Sequence, residues 1–273
     1  MPEPTPSPSD PAYTRPPGRV SRRRRVIHRL VKAGAYAVLG SLPVAGVAYL
    51  VRSRWEPVLH FDEAMIRTAT DFSRERPGLV RALLVWEEML QPKWVYIAGT
   101  LVCIYVWKRL GLGPRALWAF LTMMVSWNLA LDIKILVQRA RPVVEDAITH
   151  APGYSFPSGH AANSAAASMI LVLLFWPRLS RRGRAAALSA AILVMVITAV
   201  DRVMLGVHYP SDVSAGLVFG VVLALASYAG YRDWGPWKLQ QMKPMEPAQQ
   251  PRKQRTRPPT GVSSQSPERA PEA

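Results

Sequence analysis

The sequence predicts an all-α, polytopic membrane protein, with six transmembrane helices in one helical bundle between disordered basic tails. Three observations lead there. Six long apolar runs occupy the middle of the chain, prolines crowd its two ends, and the short connections between runs alternate cationic with charge-balanced. The averages hide this: 49% apolar residues and a mean hydropathy of +0.06 are ordinary for a soluble protein. Residues 1–32 hold 8 Lys+Arg, 2 acids and 7 of the 25 prolines, and residues 232–273 hold 8 Lys+Arg, 4 acids and 8 prolines. The organisation read from this is a basic N-terminal tail over residues 1–32, a six-helix domain over residues 33–230 and a Pro-rich basic C-terminal tail over residues 231–273. A disulfide scaffold, a coiled coil and a wholly disordered chain are excluded. The single Cys103 lies in an apolar run, which also excludes a cysteine-based metal cluster.

A helix needs about 20 mostly apolar residues to cross about 30 Å of hydrocarbon. The runs Ala33–Val51, Trp94–Trp107, Ala116–Leu131, Ala161–Trp176, Ala185–Val200 and Val213–Tyr228 approach that length, and flanking Trp, Tyr, Lys and Arg supply interfacial ends. The first run has a competing reading, because Gly46-Val47-Ala48 has the small-x-small form of a signal-peptide cleavage site. The run continues through Val51 after a long basic stretch, so an uncleaved span is expected. Between the first two runs, Phe61, Met65, Ile66, Ala69 and Phe72, then Leu79, Leu83, Trp86 and Leu90, recur at helical spacing with charges on the other face. One or two amphipathic helices on the outer surface are expected there, either packed on the bundle or forming a lip for a lipid.

Orientation follows from the flanks. Arg22–Arg25, Arg29 and Lys32 precede the first span. Lys108, Arg109 and Arg115 join the second to the third, and Arg178, Arg181, Arg182 and Arg184 join the fourth to the fifth. Residues 52–93 hold seven basic and seven acidic residues, and residues 132–160 hold three of each. Both termini are therefore expected in the cytoplasm of a multi-pass cell-membrane protein. The Arg22–Arg25 run is read as a topology determinant touching anionic membrane lipids, with no nucleic-acid partner.

Three polar clusters fall on the outer side. Lys134 and Arg141 stand seven apart, on one helical face, with Pro142 ending the helix, and they suit a dianionic oxyanion. Ser155-Phe156-Pro157-Ser158-Gly159-His160 leads into the fourth span. There a Ser cap followed by Gly leaves main-chain N–H groups at a positive helix end. Asp201-Arg202-x5-His208-x3-Asp212 spans the fifth-to-sixth connection, with His208 and Asp212 at i,i+4 so that a carboxylate can fix the imidazole tautomer. Runs of 16 residues span about 24 Å, so all three clusters reach the same membrane level. Three cations without a compact His/carboxylate ligand set disfavour a metal and suit a phosphoryl group. Of the two histidines, His208 backed by Asp212 is the better nucleophile and His160 the better acid.

Lys134-x6-Arg141-Pro142, Pro157-Ser158-Gly159-His160 and Asp201-Arg202-x5-His208-x3-Asp212 together resemble the three signatures of the type-2 phosphatidic acid phosphatase and vanadium haloperoxidase superfamily, in the family's order. The resemblance covers Lys134–Asp212 by motif and about residues 33–230 by layout. It implies a helical bundle and cofactor-free, metal-free dephosphorylation of a lipid phosphate through a phosphohistidine. Catalytic roles then fall to His208, His160 and Asp212, and phosphate contacts to Lys134, Arg141, Ser158, Gly159 and Arg202. Asp201 stands where the family has Ser. It is expected to point away from the pocket and pair with a neighbouring cation, and to bear on substrate preference. Expected substrates are a polyprenyl diphosphate, phosphatidic acid or phosphatidylglycerophosphate, acted on at the extracytoplasmic face. A non-catalytic lipid-phosphate binder and a vanadate-dependent haloperoxidase are the alternatives.

Overall fold

The computed structural model describes residues 19–143 and 148–232. Helix α1 spans Arg19–Arg52, α2 Glu56–Arg74, α3 Pro77–Met89, α4 Pro92–Leu110, α5 Gly113–Val137, α6 Gly159–Phe175, α7 Arg181–Met204 and α8 Pro210–Arg232, with a 3-10 turn at Trp176–Arg178. Helix α1 starts inside the segment expected to be tail, because Arg and Lys prolong a helix past the bilayer at little cost in propensity. The rest of both predicted tails lies outside the described residues.

Helices α1, α5, α6 with its 3-10 turn, α7 and α8 are each long and apolar enough to span a bilayer. The second predicted run falls in α4, which passes that test only together with α3, across a 50° bend at Leu90-Gln91. Pro92 at the start of α4 fixes the bend, since it supplies no N–H to continue α3. The protein is thus all-α and multi-pass, with five candidate spans among the described residues, or six counting the bent pair as one.

Helices α6 and α8 form the centre. Helix α6 offers Ala161, Ala162, Ala165 and Ala166, all buried, and α8 answers with Gly216 and Gly220. A Cβ on Gly216 would sit 2.7 Å from the Ser158 carbonyl, and one on Gly220 would strike the Ala162 carbonyl and stand 2.7 Å from the Ala166 nitrogen. Small residues at four-residue spacing let two backbones touch, which is how helices associate where lipid offers no hydrophobic drive. This contact also fixes the site, because the N-terminal ends of α6 and α8 carry His160 and Asp212.

The amphipathic segment 61–90 becomes α2 and α3, but its polarity is turned. Helix α2 buries Asp62, Ile66, Thr70 and Ser73, while Phe61, Met65 and Phe72 are exposed. In a bilayer an apolar face has no need of protein cover, so the polar edge with partners inside takes the packed side. Helix α3 packs Leu83 on Leu205 and Val207, and the Trp86 indole N–H donates to Thr198 Oγ1 at 3.2 Å.

The two cationic connections share one end of the bundle, where Arg178 Nη2 donates to the Leu110 carbonyl at 3.3 Å. The buried Arg115 donates to the Leu173 carbonyl and the Tyr228 hydroxyl there. The three predicted site clusters lie at the C-terminal ends of α5 and α7 and the N-terminal ends of α6 and α8.

Candidate active site

The loop between α5 and α6 is pinned by Phe156, fully buried with Val44, Val137 and Ala215. The Ser155 N–H donates to the Arg139 carbonyl at 2.8 Å and the Ser158 N–H to the Asp212 carbonyl at 3.0 Å. These ties carry the start of α6 onto the start of α8. A cavity of about 250 Å³ opens there, lined by Lys134, Arg141, Gly159, His160, Arg202 and His208 together with Pro92, Trp127, Leu131 and Asn163. Six of the eight residues singled out in the sequence therefore meet on one cavity, from three helix ends and two loops.

Asp212 stands behind His208, fully buried. Its Oδ2 lies 3.7 Å from His208 Nδ1, and Ser155 Oγ fills the gap, 2.5 Å from Asp212 Oδ2 and 3.4 Å from Nδ1. The Tyr209 N–H adds a third contact to the carboxylate at 3.0 Å. On the other ring nitrogen, Arg141 Nη1 lies 3.2 Å from Nε2. An arginine can only donate, so Nε2 carries the lone pair and Nδ1 the proton, directed at Ser155 and Asp212. Burial pushes the His208 imidazole down to about 4 against the pull of Asp212, so it is neutral at ordinary pH.

Ser158 differs from the expectation. It is the N-cap of α6, but its hydroxyl makes no cap bond, is buried without a partner and is absent from the cavity lining. Its main-chain N–H is already committed to Asp212, so only Gly159 and His160 of this turn border the cavity. His160 shows one nitrogen, Nε2, buried and unpartnered.

The remaining cations are held by their surroundings. Lys134 Nζ donates to the Tyr154 carbonyl at 2.8 Å. Arg141 donates to the carbonyls of Gly153, Val207 and Pro152 at 2.8–3.0 Å, and burial lowers its basicity. Arg202 Nε and Nη2 grip Asp201 Oδ2 at 2.8 and 2.5 Å, and Nη1 reaches Glu87 Oε1 at 2.7 Å. Asp201 thus pairs with the cation next to it and stays off the cavity lining.

Sequence reading assigned no role to four residues here, Arg139, Asp62, Glu87 and Ser155. Arg139 joins Asp212 at 2.6 Å to Asp62 at 2.7 Å, with its own charge favoured by both carboxylates against the cost of burial. Asp62 also accepts the Ser211 N–H at 3.0 Å and the Ser211 hydroxyl, fixing the first turn of α8. Arg139 was legible as a third cation beside Arg141, but the carboxylates from α2 and α3 carry no spacing signal. Among the described residues no three His, Cys, Asp or Glu side chains group as a metal-ligand set.

Residues 115–236 match the PAP2 superfamily. Decaprenylphosphoryl-5-phosphoribose phosphatase of Mycobacterium tuberculosis is 33% identical over 102 residues, 36% of this chain and 51% of that protein. Lipid A 1-phosphatase of Rhizobium etli is 36% identical over 125 residues, 42% of this chain and 50% of that one. Phosphatidylglycerophosphatase B of Bacillus subtilis is 31% identical over 94 residues, 33% and 45% of the two chains. The chain spans about half the length of these relatives. In fold it is similar to the crystal structure of a transmembrane PAP2 type phosphatidylglycerolphosphate phosphatase from Bacillus subtilis, with a TM-score of 0.61 and 21% identity over 78% of this chain and 98% of that one. The resemblance carried by the three motifs is therefore to the superfamily whose model matches residues 115–236.

Proposed function

We propose that this multi-pass chain, whose residues 115–236 match the PAP2 superfamily, is a membrane lipid-phosphate phosphatase working through a phosphohistidine on His208, without metal. One observation carries this reading: the two imidazoles share one cavity with Lys134, Arg141 and Arg202, and His160 Nε2 has no other partner. A buried orphan nitrogen beside cations marks a place where a ligand atom completes the set.

The chemistry follows from the tautomers. The phosphoryl oxygens draw Arg141 off His208 Nε2 and sit against Lys134, Arg141, Arg202 and the Gly159 main chain. The Nε2 lone pair attacks phosphorus while the bond to the lipid oxygen breaks. The proton on Nδ1 is steadied by Ser155 and Asp212, and protonated His160 gives its proton to the leaving oxygen. Water then cleaves the N–P bond, passing its proton to His160 and restoring neutral His208. Three clustered cations repel a divalent ion, which supports the metal-free assignment. The two cationic connections at one end support cytoplasmic termini and a site on the extracytoplasmic face.

Purified protein should release phosphate from phosphatidic acid, phosphatidylglycerophosphate or a polyprenyl diphosphate in EDTA, with vanadate inhibiting. Loss of all release to EDTA would remove the metal-free step, and full release by His208→Ala would remove the nucleophile.

A further inference from the structure

The cavity has two unlike ends. At the His208 end stand Lys134 and Arg141, whose partners are neutral carbonyls and an imidazole nitrogen. At the His160 end stands Arg202, whose Nε and both Nη atoms are held by the carboxylates of Asp201 and Glu87. Glu87 joins this end through its side chain, which accepts from Arg202. Counting the buried groups behind each end as well, the formal charge is three positive (Lys134, Arg141, Arg139) against two negative (Asp212, Asp62) at the first end, and one positive (Arg202) against two negative (Asp201, Glu87) at the second. Neither carboxylate borders the cavity, but both lie directly behind the guanidinium that does.

In-line displacement puts nucleophile and leaving group on opposite sides of phosphorus. The phosphoryl group being transferred therefore meets the cationic end, and whatever leaves lies toward His160. When a phosphomonoester is cleaved, the leaving group is an alcohol, uncharged once His160 has given up its proton. When a terminal P–O–P bond is cleaved, it is a lipid phosphate, which brings its own negative charge to the end where Arg202 is already matched by two acids.

We propose that Glu87 and Asp201 make this a site for lipid phosphomonoesters, discriminating against diphosphates by withholding the net positive charge a second phosphate requires. This rests on the phosphatase reading and narrows its substrate class. Glu87 and Asp201 are specificity residues that act through Arg202.

The test compares kcat/KM of the full-length protein in mixed micelles for a monophosphate and a diphosphate on the same prenyl tail. The wild type should favour the monophosphate by at least about tenfold, the effect of roughly one unscreened charge at a half-buried site. Glu87→Gln keeps an oxygen for Arg202 and removes the charge, so it should narrow the ratio by about tenfold, chiefly through KM for the diphosphate. Asp201→Asn should act in the same direction. A wild type that prefers the diphosphate overturns the inference alone, even if neither variant folds. A Glu87→Gln enzyme that loses both substrates in equal proportion also overturns it, because that is the mark of a purely structural role. Release from neither substrate overturns the phosphatase reading itself.

Discussion

Twice in this molecule an arginine lies between two carboxylates, and the two arrangements do opposite things. Asp62–Arg139–Asp212 is sealed behind His208, with Asp62 and Asp212 fully buried and Arg139 off the cavity. Its cation exists for its acids: it neutralises Asp212 and, through Asp62 and Ser211, ties α2 to α8. Asp201–Arg202–Glu87 has the same composition, but its arginine borders the cavity, so its acids exist for the cation. The difference is one of position. Where the arginine cannot meet substrate the triad is a brace, and where it can the triad tunes charge.

The comparison can be broken at several places. The largest effect is expected at the residue the first triad stands behind: His208→Ala should lower phosphate release by at least about a thousandfold. Next is the brace. Arg139→Gln strands two buried carboxylates, and removing one partner of a buried ion pair costs about 3–5 kcal/mol, so thermal unfolding in detergent should move sharply down. If Arg139→Gln unfolds like wild type, the brace is not one. Gly220→Val, which pushes a side chain into the α6 backbone, should destabilise by about 1–3 kcal/mol or more and slow turnover with it, because His160 and Asp212 ride on that contact.

The pH dependence sharpens the account further. His208 is held near 4, below the usual histidine value of about 6.5. A depressed histidine is neutral in the folded protein and takes up its proton first in the unfolded chain, so stability falls as pH drops from about 6.5 to about 4. The neutral nucleophile persists over the same window. The acid limb of kcat/KM should therefore lie near pH 4 to 5, and a limb at 6.5 would place His208 in a wetter site than this one. The smallest effect is expected at Ser155, where Ala removes one bridging hydroxyl and should cost about two- to tenfold in kcat.

The spans and the three polar clusters were legible because both are local signals: apolar length in one case, fixed spacing at helix ends in the other. Lys134, Arg141, Gly159, His160, Arg202 and His208 all reach the cavity from positions read that way. What was not legible is long-range. Asp62 meets Ser211 across 149 positions and Glu87 meets Arg202 across 115, pairings that only the packing of α2 and α3 creates. Helix α2 misled for a related reason. Its apolar stripe is the ordinary sign of an inward face in water, whereas here Phe61 and Phe72 are exposed and Asp62 is buried. That the Ser158 N–H is bound to the Asp212 carbonyl, with Ser158 off the cavity lining, is likewise a long-range fact that a cap residue in sequence does not reveal.

The central claim is that a single tetrahedral anion is passed through His208 Nε2. The direct measurement is rapid-quench trapping with a lipid carrying a radiolabelled terminal phosphate, using wild type and His208→Ala. The account predicts a burst of acid-labile, alkali-stable protein label in the wild type and none in the variant. Label of the same kind and amount in His208→Ala, or a hydroxylamine-sensitive acyl phosphate in the wild type, would contradict it.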